Sequence, residues 1–64
     1  MNPKVELAIS FLRDNLHRRI TVAQIAQSVD LSSSHLSYFF KRQVGVPPFQ
    51  YLKNARLELA RKLL

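Results

Sequence analysis

The sequence predicts an all-α fold: a small helical bundle that contains a helix-turn-helix and is followed by a long fourth helix. Two observations predict it. Apolar residues recur at the 3.6-residue spacing of helices along most of the 64-residue chain, and no β-type alternation of useful length is present. In the middle of the chain, the tight turn 30–32 separates two such periodic segments.

We expect the first helix to run from about Asn2 to His17. Asn2 is a favourable N-cap, and Pro3 suits the first helical turn because the N–H that proline lacks would have no helical partner there. Two apolar residues, Leu7 and Phe11, lie to one side of the main apolar face. That face carries Val5, Ala8, Ile9, Leu12 and Leu16.

The second helix is expected to begin after Thr21 and to end near Val29. Thr21 and Gln24 match a capping box, and Ile20 and Ile25 match a hydrophobic staple across the same helix start. Helical spacing gives this helix a buried stripe of Val22, Ile25, Ala26 and Val29.

The turn between the second and third helices needs a residue with positive φ. Glycine is commonest at the position that Asp30 holds, and Asp tolerates that conformation better than most residues. Ser32 is a good N-cap for the third helix, and Leu31 can pack against Leu36 as a staple.

The third helix should span Ser33 to Val44 and end at Gly45 in the left-handed conformation. Its inner face carries Leu36, Phe39, Phe40 and Val44. Its outer face carries one continuous stripe of Ser34, Ser37, Tyr38 and Lys41. His35 and Arg42 flank this stripe. Such side chains can bond to base edges or phosphates, so the stripe is a candidate recognition surface.

Residues 46–48, Val-Pro-Pro, form a short rigid connector, and the fourth helix is expected from Pro48 or Phe49 to the end of the chain. Its main apolar stripe contains Phe49, Leu52, Ala55, Leu59, Ala60 and Leu63. Two leucines lie on a different side: Leu57 and Leu64. Arg56 falls inside the main stripe. A charge there needs a partner or carbonyl acceptors, so we expect Arg56 to tie this helix to the rest of the domain.

Composition and charge limit the classes of function that this chain can have. Ten Lys and Arg against four Asp and Glu give a net charge of +6, which favours an anionic partner, either nucleic acid or an acidic membrane surface. The chain has no cysteine, and His17 and His35 have no acidic neighbour at ligand spacing, so neither a metal site nor a cofactor is expected. No Ser-His-acid set, carboxylate pair or phosphate-cradling glycine loop suggests catalysis, and we predict no catalytic residue and no enzyme.

Membrane association is not favoured. No apolar run approaches the ~20 residues of a membrane span, and the N-terminus lacks the features of a secretory signal. The fourth helix is basic and amphipathic, but packing within a domain explains that pattern equally well. We therefore expect a cytoplasmic protein.

Two longer patterns link these elements. The first is A-x-x-x-x-L-S-x-x-x-L-x-x-x-F-K, which starts at Ala26 and ends at Lys41. The second is G-x-x-P-x-x-Y-L-x-x-x-R-L-x-x-A-x-x-L-L, which starts at Gly45 and ends at Leu64. Together with the first helix, these patterns resemble the first half of the DNA-binding domain of AraC/XylS-type bacterial transcription regulators.

The resemblance implies two helix-turn-helix units joined by a long linker helix, with the second helix of each unit in the DNA major groove. On that basis residues 1–46 are a three-helix subdomain, and residues 47–64 are the linker helix. The second unit and the usual sensor domain are expected to be absent, and no small-molecule ligand is expected. Pro47 departs from the family pattern, in which Ser or Thr often caps the linker helix.

The resemblance also assigns site residues. The base-contact candidates are Ser34, Ser37, Tyr38 and, at the edge, His35. The phosphate-contact candidates are Thr21, Ser33, Lys41 and Arg42. Hydroxyl groups discriminate weakly between bases, and no Arg, Asn or Gln occupies the three main base positions, so no strong bidentate contact is expected.

Alternatives remain open for these residues and for the chain. Ser34 and Ser37 can be ordinary solvated helix residues, Tyr38 can pack locally, and His35 can belong to the helix cap. The chain can also be a self-associating or protein-interaction module, through an uncovered face of helix 47–64 that includes Leu57 and Leu64. Double-stranded DNA is the expected partner, with homo-oligomerisation as the alternative.

Overall fold

Four helices make up most of residues 2–63, the part of the chain that this computed structural model describes. They are α1 (Pro3–Asp14), α2 (Val22–Ser28), α3 (Ser33–Val44) and α4 (Pro48–Leu63). These residues contain no strand, so the predicted all-α fold is confirmed. None of the helices within residues 2–63 has the length and apolar content needed to cross a membrane.

The predicted helix starts are present. The side chains of three N-cap residues each accept a hydrogen bond from a backbone N–H of the first helical turn: Asn2, Thr21 and Ser32. At α2 the bonding is reciprocal, because the Thr21 N–H also donates to Gln24 Oε1 over 2.9 Å. Gly45 ends α3 with φ of 96°, and its N–H donates to the Lys41 carbonyl. Local sequence therefore sets these boundaries.

The prediction that α1 reaches His17 is wrong, because α1 ends at Asp14. Asn15 leaves the helical conformation at φ −121° and ψ 22°, and its Nδ2 donates to the Phe11 carbonyl over 2.7 Å. This side chain therefore supplies a partner for a carbonyl of the last turn. The residues that follow form a turn instead of continuing the helix.

Arg56 fastens that turn to α4. Its Nε donates to the Leu16 carbonyl over 3.2 Å, and its Nη2 donates to the Arg18 carbonyl over 2.6 Å. The expectation that Arg56 ties α4 to the domain is confirmed. The guanidinium satisfies two backbone acceptors that have left the helix, and those carbonyls meet the need of a half-buried charge for polar partners.

The core lies where the four helices converge. Ten apolar side chains are buried there: Val5, Ala8, Leu12, Ile25, Ala26, Val29, Leu36, Phe40, Leu52 and Ala55. Phe40, on α3, is the largest of the fully buried side chains. The ring of Tyr51 on α4 meets it edge-on, with the ring centroids 5.4 Å apart. Phe40 thus joins the third helix to the fourth.

Only part of the predicted α4 stripe is buried. Leu52 and Ala55 lie in the core, but Phe49 is 65% exposed, Leu59 is 37% exposed, and Ala60 is also exposed. The bundle contacts only the first half of α4, and every side chain from 57 to 62 is exposed. The apolar stripe therefore continues beyond the core at Phe49, Leu59 and Ala60, and Leu57 is 52% exposed, as expected for an uncovered face of this helix. Leu64 and the side chain of Leu63 lie outside the described residues.

Tyr51, which was not placed in the predicted stripe, packs against the core and also meets α1. The Arg13 Nη2 atom donates to the Tyr51 hydroxyl over 2.8 Å, and the guanidinium carbon lies 5.6 Å from the ring centroid. One aromatic residue of α4 therefore links α1 and α3.

Replacing Phe40 by Ala should unfold the domain. A buried Phe→Ala change costs about 3–5 kcal/mol, and a core of this size rarely supplies more than about 3–5 kcal/mol in total. Leu7→Ala is the control, because Leu7 is 60% exposed and its loss should change stability by less than about 0.5 kcal/mol. Urea titrations followed by far-UV circular dichroism would compare the two variants. A cooperative F40A transition near the wild-type midpoint would show that the core does not depend on Phe40.

Candidate nucleic-acid interface

The connection between α2 and α3 has a defined backbone geometry. Asp30 adopts φ of 62°, as expected for its position. Its N–H donates to the Gln27 carbonyl over 3.2 Å, and the next N–H, of Leu31, donates to the Ala26 carbonyl over 3.0 Å. These two bonds are the Schellman pattern at a helix C-terminus. Ser32 then caps α3 directly, so the two helices meet with no flexible linker.

The inner faces of α2 and α3 hold the two helices against the core. Ala26 is 1% exposed at the end of α2, where a small side chain allows the close approach that a helix-turn-helix requires. Leu36 and Phe40 are fully buried on α3, whereas Phe39 and Val44 are half-buried. The opposite face of α3 consequently points away from the core.

The structure brings the sequence-predicted site residues of α3 to that outer face. Apart from Ser33 in the first turn, six predicted site residues lie on α3; five of these are exposed, and Ser37 is half-buried. The five exposed side chains are Ser34, His35, Tyr38, Lys41 and Arg42. Thr21 and Ser33, at the starts of α2 and α3, are exposed as well. Because α3 contains no acidic residue, its outer face is polar and positively charged, and it can approach a polyanion without carboxylate repulsion.

Tyr38 and Arg42 form a pair on this face. The Arg42 Nη1 atom donates to the Tyr38 hydroxyl over 3.0 Å, and the guanidinium carbon lies 5.6 Å from the centroid of the Tyr38 ring. The Tyr38 ring also meets the Phe39 ring edge-on, with the centroids 5.4 Å apart. Tyr38 nevertheless stays 56% exposed. The phenol is thus held in place and still accessible.

His35 belongs to the helix cap. Its backbone N–H donates to Ser32 Oγ over 3.1 Å, and its Nδ1 lies 3.0 Å from the same oxygen. Its ring stacks towards Phe39, with the centroids 6.4 Å apart. The sequence left two roles open for His35, a base contact and a part of the helix cap. These contacts are those of a residue in the cap. His35 lies at the rim of the outer face of α3.

Three consecutive basic residues, which the sequence predictions did not assign, lie next to this interface. His17, Arg18 and Arg19 are exposed in the α1–α2 connection and end two residues before the cap of α2 at Thr21. The sequence feature that could have identified this surface is the run of three basic residues, which is separated by one residue from the capping box at Thr21. The sequence prediction placed His17 at the end of α1 and assigned no role to Arg18 or Arg19.

Comparison with known proteins agrees with this geometry. Residues 12–53 match the sequence model described as bacterial regulatory helix-turn-helix proteins, AraC family. These residues include α2, the turn and all of α3. The match therefore covers the whole of the candidate interface.

Several curated proteins are similar to nearly the whole chain. The lactose operon transcription activator of Staphylococcus xylosus is 36% identical over 64 residues, which is 100% of this chain and 23% of the relative. The XylDLEGF operon transcriptional activator 2 of Pseudomonas putida is 32% identical over 63 residues, covering 98% and 40% of the two chains. A probable thc operon regulatory protein of Rhodococcus erythropolis is 36% identical over 58 residues, covering 91% and 18%.

The chain thus spans less than half the length of these relatives. No solved structure gives a significant match.

Removing the Ser32 hydroxyl should destabilise α3. Ser32→Ala deprives the His35 N–H of its acceptor, and loss of such a cap costs about 1 kcal/mol, within a range of roughly 0.5–2 kcal/mol. Ser33→Ala is the matched control: Ser33 is exposed in the first turn, and its change should stay within about 0.5 kcal/mol. Urea titration should give a lower midpoint at unchanged slope for S32A only. Equal midpoints for the two variants would show that the cap contributes nothing.

Proposed function

The chain belongs to the AraC family of bacterial regulatory helix-turn-helix proteins, and we propose that it binds double-stranded DNA by inserting α3 into the major groove. The observation that carries the proposal is the outer face of α3, which is exposed, polar and free of acidic residues, and which the turn and the core hold rigidly. In helix-turn-helix proteins the second helix of the motif lies in the major groove and the first crosses the backbone.

We further propose a division of the chain into residues 1–46, which bind DNA, and residues 47–64, which form a linker helix. The exposed second half of α4 supports this division, because it lies beyond the bundle core. The relatives are named as transcription activators and operon regulators, not as enzymes. By extension we propose a regulatory role for this chain in the bacterial cytoplasm, where the DNA is.

The two sets of proposed contacts differ in what they do. We propose that Ser34, Ser37 and Tyr38 face base edges, with His35 at the margin. Hydroxyl and phenol groups form single hydrogen bonds or pack on a thymine methyl, so each discriminates less than a bidentate Arg or Asn contact. Sequence preference should therefore be modest for one such helix.

The proposed phosphate contacts set affinity and register. They are Thr21, Ser33, Lys41 and Arg42. Arg42 and Tyr38 already form a pair in the free protein, so we expect them to dock as a unit, with the phenol towards the bases and the guanidinium towards the backbone. A module that neutralises only a few phosphates should bind non-specific DNA with a dissociation constant of roughly 10⁻⁴–10⁻⁶ M at physiological salt.

Two substitutions on α3 should have different effects on DNA binding. Lys41→Ala should weaken binding to all duplexes by a similar factor and reduce the salt slope, the change in log K with log salt, by about 0.9, which corresponds to one phosphate. Tyr38→Ala should instead change the ranking of preferred sites, since a base contact carries about 1–3 kcal/mol of discrimination at most.

Fluorescence anisotropy on a random-sequence duplex and on selected duplexes, at 50 and 150 mM salt, would measure both effects. Lys62→Ala is the control, because it removes the same charge from the exposed last turn of α4. The proposal fails if the wild-type chain does not bind DNA at low salt, or if K41A and Y38A both match K62A.

A second candidate function, self-association, has one observation in its favour. On α4, Phe49 and Leu57 are 65% and 52% exposed, and with Leu52, Lys53 and Arg56 they line a groove of about 240 Å³. We propose a second copy of this chain as its occupant, because an apolar patch of this kind invites pairing of like faces.

If α4 mediates pairing, Leu57→Ser should shift the chain towards the monomer. Leu7→Ser is the control, because Leu7 is exposed to a similar extent, 60%, on α1. Sedimentation equilibrium from micromolar to millimolar concentration would measure the association constant. A wild-type monomer throughout that range would exclude this second function and leave the DNA-binding proposal intact.

A further inference from the structure

We propose that the loop formed by His17, Arg18 and Arg19 is a second phosphate-binding element, and that Arg56 positions it. This inference rests on the proposed function, since it concerns the same complex with DNA. We call these three residues the basic loop. None of them belongs to the outer face of α3, which is the candidate recognition surface.

Charge and exposure mark the basic loop as a surface for an anionic partner. All three of its side chains are exposed. Between Leu7 and Val29 the chain contains one carboxylate, Asp14, against three arginines: Arg13, Arg18 and Arg19. Arg13 is already bonded to the Tyr51 hydroxyl. The two loop arginines therefore supply most of the positive charge in this segment of the chain, and a guanidinium suits phosphate oxygens.

The position of the loop fits the DNA backbone better than the groove floor. Thr21, two residues beyond the loop, caps α2, and the first helix of a helix-turn-helix crosses the phosphate backbone. Three-helix relatives of the motif also contact the backbone through the loop between their first two helices. Arg18 and the polar residues Gln24 and Ser28 of α2 border one shallow concavity of about 380 Å³. The Arg18 guanidinium and the Gln24 side-chain amide thus border the same concavity, whereas the Ser28 hydroxyl already donates to the Ile25 carbonyl over 2.6 Å.

Arg56 holds the backbone of this loop. Its two hydrogen bonds reach the carbonyls of Leu16 and Arg18, which lie on either side of His17. A loop without such a restraint would lose conformational freedom on binding, at a cost in affinity. Arg56 is half-buried and engaged by backbone carbonyls, so it acts as a positioning residue and is not itself a phosphate contact.

The first test removes the loop charges. Arg18→Ala/Arg19→Ala should reduce the slope of log K against log salt by about 1.8, since each lost phosphate contact contributes about 0.9. Between 50 and 200 mM salt the wild-type affinity should then fall by about tenfold more than that of the variant. The matched control is Arg61→Ala/Lys62→Ala, which removes two charges from the exposed end of α4. Its slope should change by less than about 0.5.

The second test separates positioning from folding. Arg56→Lys keeps the charge but loses the planar fork that reaches two carbonyls. Its affinity for DNA should fall severalfold in the wild-type background and not at all in the R18A/R19A background. A purely structural role would lower affinity equally in both backgrounds. Circular dichroism would confirm that each variant is folded, and the first test does not depend on this variant.

The outcomes distinguish this inference from the proposal on which it rests. If the wild-type chain fails to bind DNA even at 50 mM salt, both are overturned. If the wild-type chain binds and R18A/R19A has the same salt slope as R61A/K62A, the basic loop is overturned while the role of α3 stands. If R56K weakens binding equally in both backgrounds, the positioning role of Arg56 is overturned.

Discussion

Burial of Phe40 is the constraint on which the rest of the structure depends. This ring lies on the inner face of α3, is fully buried, and meets Tyr51 of α4 edge-on. In a domain with a core this small, a single aromatic side chain supplies a large share of the hydrophobic stabilisation. The same ring fixes which side of α3 faces outwards, so the orientation of the candidate recognition face follows from core packing.

Polar contacts extend this arrangement to the parts of the chain that the core does not reach. Arg56 fastens the α1–α2 connection, and Arg13 bonds to the hydroxyl of the same tyrosine that packs on Phe40. Both arginines use their guanidinium groups on neutral acceptors, a carbonyl pair and a phenol. A basic chain of this size therefore uses some of its charges within the fold and leaves others for an anionic partner.

Local signals in the sequence predicted most of the fold. The N-caps, the capping box at Thr21, the positive φ at Asp30 and the end of α3 at Gly45 each depend on residues within a few positions. The end of α1 was mispredicted because Asn15 leaves the helical conformation and bonds to the Phe11 carbonyl, while Arg56, distant in the chain, holds the turn that follows. The extent to which the core covers α4 could not be predicted, because it depends on packing between helices, and every side chain from 57 to 62 is exposed. At the site, periodicity identified the outer stripe of α3, but the pairing of Tyr38 with Arg42 required side-chain geometry.

The uneven packing of α4 divides it into two parts of different local stability. Its first half shares the core, so those amides can open only when the whole bundle unfolds. Residues 57–62 contact no other helix through buried side chains, and an isolated helical segment this short is marginal in water. Their amide hydrogens should exchange at rates close to those of a frayed helix end. Any partner that docks on that half would therefore also stabilise its helical conformation, so that binding and local helix formation become one coupled equilibrium.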